Sequence, residues 1–104
     1  MRMRVEYHRK AFRQLEDIAR GDRISDRAIA DAIDKLEDEP RPHDSETLED
    51  EILRIRVRDY RVIYGLDEKE KRVVILKIER RSEATYRGLE KRVKRYKQMG
   101  RKQG

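Results

Sequence analysis

Apolar and polar positions in this chain repeat with two different periods. From Ile52 to Val57 the period is two: Leu53, Ile55 and Val57 alternate with Arg54, Arg56 and Arg58. That alternation puts the apolar set on one face of a β-strand and the arginines on the other. After a short break at Arg58-Asp59, Tyr60, Val62 and Tyr64 share the buried face while Arg61 and Ile63 point the other way. Gly65 to Lys71 is charged and is expected to carry a hairpin turn. Arg72 to Glu79 reads as the next strand, with Val74, Leu76 and Ile78 on one face and Val73, Ile75 and Lys77 on the other. Arg80 and Arg81 stand where that strand ends.

Upstream, Met1 to His8 alternates as a first strand, with Met3, Val5 and Tyr7 set against Arg2, Arg4 and Glu6. From Arg9 the period lengthens. Phe12, Leu15, Ile18 and Ala19 form a helical stripe that stops near Gly21. Asp22 or Ser25 caps a second helix, whose seam runs through Ile29, Ile33 and Leu36. Pro40-Arg41-Pro42 ends it, because proline removes a backbone donor and restricts the residue before it. The acidic stretch from His43 to Glu51 reads as a loop. From Ser82 onward Tyr86, Leu89, Val93 and Tyr96 mark one seam of a last helix. The expected order is β-α-α-β-β-β-α, an α+β fold with a helical hairpin on one face of a small, mostly antiparallel sheet plus a C-terminal helix. Residues 1–99 form a single domain in this reading, and 100–104 form a tail with no ordering signal.

Charge changes the picture. Charged residues make up 48% of the chain and the formal net charge is +6. Residues 1–50 hold 10 Lys+Arg against 14 Asp+Glu, and residues 51–104 hold 18 against 8. The excess positive charge therefore belongs to the strands and the last helix, a footprint that favours nucleic acid or another polyanion. A sheet needs one apolar face only, and guanidiniums repeated on adjacent strands repel each other. An anionic ligand relieves that repulsion. The absence of Cys excludes disulfides and thiolate metal sites. No apolar run reaches the length of a membrane span and MRMRVEYH lacks the apolar core of a signal peptide, so a soluble cytoplasmic protein is expected, with no membrane partner. His8 and His43 have no neighbours of metal-ligand type and receive no role.

The strand Leu53-Arg54-Ile55-Arg56-Val57, the segment Asp59-Tyr60-Arg61-Val62-Ile63-Tyr64, and Ile78-Glu79-Arg80-Arg81 with Tyr86 together resemble the RelE/ParE superfamily of toxins from type II toxin–antitoxin systems. The order of elements agrees over nearly the whole chain, whereas the helices match in pattern only. The resemblance implies a ribosome-dependent endoribonuclease (an mRNA interferase) that cuts mRNA in the ribosomal A site, inhibits translation and is silenced by a cognate antitoxin. It carries basic RNA-binding positions onto Arg54 and Arg56, a transition-state arginine onto Arg61, the strand-end arginine onto Arg81 and a tyrosine onto Tyr86. Arg58 falls where the family often has Gly, Arg80 where His is frequent, and the basic pair is arginine where well-known RelE members have lysine. ParE-like members share the fold but act on DNA gyrase, so a gyrase inhibitor and a non-catalytic RNA- or DNA-binding module remain alternatives.

Cleavage of RNA by its own 2′-hydroxyl needs a base, positive charge for the phosphorane and an acid for the leaving 5′-oxygen. Arg54, Arg56, Arg61 and Arg81 supply charge in a fork geometry suited to phosphate, with Arg58 and Arg80 as further RNA contacts. Arginine is a poor base because it stays protonated. Tyr86 is then the residue able to exchange a proton, its phenolate favoured by nearby guanidiniums. No metal and no cofactor is expected, because the acidic residues fall on turns and helices away from the basic face.

Overall fold

The computed structural model describes residues 2–80, apart from the side chain of Glu79. The expected last helix, Arg81, Tyr86 and the tail 100–104 lie outside the described residues. The elements are β1 (Arg4–Tyr7), α1 (Arg9–Gly21), α2 (Arg23–Lys35), β2 (Glu46–Glu49), β3 (Ile52–Val57), β4 (Tyr60–Asp67) and β5 (Arg72–Arg80). They build one five-stranded sheet in the order β1-β5-β4-β3-β2. β1 runs parallel to β5 and every other pair is antiparallel. A parallel neighbour requires a crossover, and the α1–α2 hairpin is part of the connection. Among the described residues no helix is long and apolar enough to cross a membrane.

The two helices meet at a single residue. Asp22 closes α1 through its backbone N–H to Ile18 O and caps α2 by accepting from Ser25 N at 3.0 Å. Its carboxylate also accepts from Ser25 Oγ at 2.7 Å. These bonds, the side-chain one foremost, hold the Asp22 carboxyl below the usual range. The cap's contribution is therefore complete above the ordinary carboxylate pKa and is lost as pH falls through the lowered folded value. α2 buries Ile29 and Ile33 and ends at Leu36, as its spacing predicts. In α1 the fully buried residue is Ala11, whereas Phe12 is 51% exposed and meets Tyr7 edge-on with ring centroids 6.0 Å apart. The small side chain brings α1 close to the sheet and the large one covers its rim.

Under the helices lie Leu53, Ile55, Tyr60, Val62, Tyr64 and Leu66, joined from β5 by Val73, Ile75 and Ile78. This corrects the expected phase of β5. Tyr64 stands opposite Ile75 and Ile63 opposite Lys77, so Leu76 is an extra residue in the ladder. The bulge shifts the alternation by one. Leu76 accordingly lies on the far face with Ile52 and Ile63 instead of beneath the helices.

Two further expectations change. The stretch from His43 to Glu51 contains a strand, because β2 pairs antiparallel with β3 through Glu46↔Arg54 and Thr47↔Leu53. Its acidic residues hid it, yet charge is what an edge strand carries to discourage pairing with other chains. Gly65 and Leu66 belong to β4 and not to the turn; Leu66 is fully buried, and the turn starts after Asp67, whose Oδ1 accepts from Glu70 N at 3.0 Å. Tyr64 is fully buried and donates its hydroxyl to Pro40 O at 2.8 Å, fastening the proline loop to the core. Burial pushes the phenol up to about 12. Tyr64→Phe should cost about 1 kcal/mol in urea denaturation, because the Pro40 carbonyl loses its donor while the ring stays.

Candidate nucleic-acid interface

β3 and β4 present Arg54, Arg56 and Arg61 on the face that the α1–α2 hairpin does not cover. Backbone register fixes their order. Arg56 pairs directly with Arg61, and Arg54 pairs with Ile63 on one side and Glu46 on the other. Arg56 is exposed and Arg61 half-buried. Arg54 is the exception: it shares the face of Arg56 and Arg61 yet is only 6% exposed. Its alkyl stem lies on a face that also holds Ile52, Ile63 and Leu76, so the guanidinium is drawn down among apolar neighbours. Lys77, buried as well, joins this face because of the bulge.

Alternation alone could not reveal Glu46. Arg54 Nη2 donates to Glu46 Oε2, and the Glu46 side chain is 59% exposed. The hydrogen bond from Arg54, together with the charges of Arg54, Arg56 and Arg61, holds this carboxyl below its usual range. One acidic residue therefore sits beside the basic face, contrary to the expectation that all lie away from it. Its signal existed only in the β2–β3 register, which a segment read as a loop does not have. Arg61 Nε is buried and has no hydrogen-bond partner among the described residues. A desolvated N–H of this kind is costly and is relieved by an acceptor.

Arg58 and Arg80 are not brought to this group. Arg58 occupies the first turn position after β3 with φ of 57°, where glycine is more at ease, consistent with its departure from the family pattern. Its Nε donates to Ser25 Oγ at 3.1 Å, so the side chain reaches the helix side and joins the Asp22–Ser25 cap. Arg80 pairs with Tyr60 in register and its guanidinium lies 5.7 Å from the centre of that ring. It lines a cleft of about 370 Å³ with Gln14, Asp17, Asp22 and Tyr60, again on the helix side. Arg81 and Tyr86 lie outside the described residues. The far face thus unites Arg54, Arg56 and Arg61, and the sheet separates them from Arg58 and Arg80.

A family model described as the ParE toxin of the type II toxin–antitoxin system parDE matches residues 5–85. The chain belongs to the RelE/ParE toxin superfamily. No curated protein matches it in sequence. Among solved structures, a chain of the archaeal RelE–RelB complex from Pyrococcus horikoshii is 30% identical, with a TM-score of 0.67, over 81% of this chain and all of that one. A chain of the RelBE2 toxin–antitoxin complex from Mycobacterium tuberculosis is 25% identical, with a TM-score of 0.65, over 78% of this chain and all of that one. A mutant of Escherichia coli RelE in the free state reaches a TM-score of 0.70 over 91% of this chain and 98% of its own, at 15% identity, a likeness of fold alone. As a RelE/ParE member, the protein is a toxin of a type II toxin–antitoxin system. The matched stretch includes Arg54, Arg56, Arg61 and Arg81 and ends one residue before Tyr86.

Proposed function

We propose that this toxin is an mRNA endoribonuclease that acts in the ribosomal A site and is held silent by a cognate antitoxin. The observation that carries the reading is the group of Arg54, Arg56 and Arg61 on one sheet face with the Glu46 carboxylate among them. Guanidiniums bind phosphate oxygens and stabilise the charge that builds on a phosphorane. Attack by the 2′-hydroxyl also needs a proton acceptor. Glu46 is ionised at neutral pH and stands beside the arginines, so it is suited to accept that proton. Tyr86 then serves best as donor to the leaving 5′-oxygen, a division that leaves arginine to its electrostatic role. The cytoplasm, where ribosomes are found, is the matching location. The antitoxin follows from family membership and from relatives solved as toxin–antitoxin complexes. An acidic segment covering the arginines, or a helix covering an apolar seam, would silence the protein.

The second reading is gyrase inhibition, favoured by the fact that the matching family model is that of ParE. The two separate cleanly in paired assays. On programmed ribosomes, adding the protein should cleave the mRNA and stop translation, while gyrase supercoiling continues. Arg61→Ala should reduce cleavage by about 10²–10³, the typical loss for one preorganised charge donor. Blocked supercoiling with intact mRNA would make the protein a gyrase poison. Salt-dependent RNA binding with neither activity would leave a binding module.

A further inference from the structure

An anion that approaches Arg54 from solvent meets a carboxylate first. Arg54 has 6% of its side chain exposed and Glu46 has 59%, so the Glu46 side chain occupies the solvent side of their hydrogen bond. The contact is set by backbone pairing, since Glu46 and Arg54 are direct partners across β2 and β3. Carboxylate and phosphate oxygens bind a guanidinium in the same fork geometry. Next to this pair, Arg56 and Arg61 oppose each other as like charges, a destabilising arrangement. The Glu46 carboxylate feels the charges of all three arginines, Arg54, Arg56 and Arg61. β2 is also an edge strand, paired among the described residues with β3 alone and bulged between Thr47 and Glu49. An edge strand has one partner's hydrogen bonds to lose when its contacts change, not two.

We infer that Glu46 is a built-in surrogate for an RNA phosphate, occupying Arg54 in the free protein and yielding it to a phosphodiester oxygen when RNA binds. The inference rests on the nucleic-acid reading above and deepens it. Keeping Arg54 paired avoids the cost of a buried cation with its carboxylate removed. The same pairing sets a threshold for ligands. A polyanion that touches only exposed Arg56 gains little, while one whose phosphate enters between β2 and β4 gains Arg54 and Arg61 together. Glu46 thereby discriminates between loose contact and productive seating.

The test uses the full chain, Glu46→Gln, Glu46→Ala and Asp50→Asn as a charge control in the adjacent turn. Two probes are titrated: a short 2′-O-methyl RNA oligonucleotide, which cannot be cleaved through its 2′ position, and inorganic pyrophosphate. Glu46→Gln retains an acceptor for Arg54, which guards against loss of the fold, and a urea melt verifies it. Both Glu46 variants should bind both probes roughly tenfold more tightly at low salt. The log–log salt dependence for the RNA should steepen by about 0.7, the increment for one more neutralised phosphate on a single strand. Asp50→Asn should leave that slope unchanged. Unchanged or weaker binding of both probes by both Glu46 variants overturns the surrogate. Tighter pyrophosphate binding with no RNA binding by any variant sustains the surrogate and removes the RNA reading. RNA binding whose affinity and slope ignore Glu46 does the reverse.

Discussion

Tyr86→Phe should lower single-turnover cleavage on programmed ribosomes by about 10²–10⁴, the usual loss when a positioned acid or base is removed, while changing ribosome affinity little. Phenylalanine keeps the ring, so the change isolates the hydroxyl. Glu46→Gln should lose cleavage to a similar extent yet bind RNA more tightly, which splits kcat from KM in the opposite sense to a lost phosphate contact. The pH profile separates the two proton carriers. In the free protein the Arg54 hydrogen bond and the neighbouring guanidiniums depress the Glu46 carboxyl, and a carboxylate that has yielded Arg54 to RNA is still ionised at neutral pH. Cleavage should then be flat near neutrality and fall only in acid. A rate that keeps climbing above neutral pH, and is abolished by Tyr86→Phe but not by Glu46→Gln, would make the Tyr86 phenolate the base. Wild-type cleavage by Tyr86→Phe would leave that tyrosine a structural role only.

The largest effect on stability is expected at Arg72. This residue is 7% exposed and donates to Glu6 Oε2 and Asp67 Oδ2, each at 3.3 Å. Burial opposes its charge, but the bonds it donates to Glu6 and Asp67 outweigh it and raise its pKa. Glu6 belongs to β1, so the bridge fastens the parallel edge strand to the rest of the sheet. Arg72→Met should cost about 3 kcal/mol in urea denaturation, because it strips a buried cation from partly buried carboxylates. Hydrogen exchange at β1 amides should accelerate more than elsewhere. A loss below about 1 kcal/mol, with β1 exchange unchanged, would mean that the ladder alone holds the strand.

Much of this architecture was legible because β3, β4 and α2 obey their periods without interruption. Leu53, Ile55, Tyr60, Val62, Tyr64, Ile29 and Ile33 all lie where alternation or helical spacing puts them. What escaped has a common cause. Leu76 departs because a bulge is a property of two strands, and neither strand shows it alone. β2 escaped because Leu48 is its one apolar residue and its pairing depends on β3. For the same reason Glu46 was invisible as a site residue. Arg58 and Arg80 read as members of one basic set because composition does not reveal which side of a sheet a turn or a strand end will face. The depth of Arg54 was hidden too, since alternation gives the face of a residue but not its exposure.

The extra residue in β5 has a consequence for how this strand can tolerate insertion and deletion. Ile75 is held opposite Tyr64, and Lys77 opposite Ile63, with only Leu76 between them unmatched. Removing Leu76 would therefore close the ladder into a regular one and leave every other cross-strand partner in place. Removing a residue elsewhere in the strand, Lys77 excepted because Leu76 then takes its place opposite Ile63, would instead reverse the facing of the residues beyond it and drive Ile78 away from the helices. The bulge is thus the one point in β5 where chain length is free to drift over evolutionary time without exchanging the strand's inner and outer surfaces.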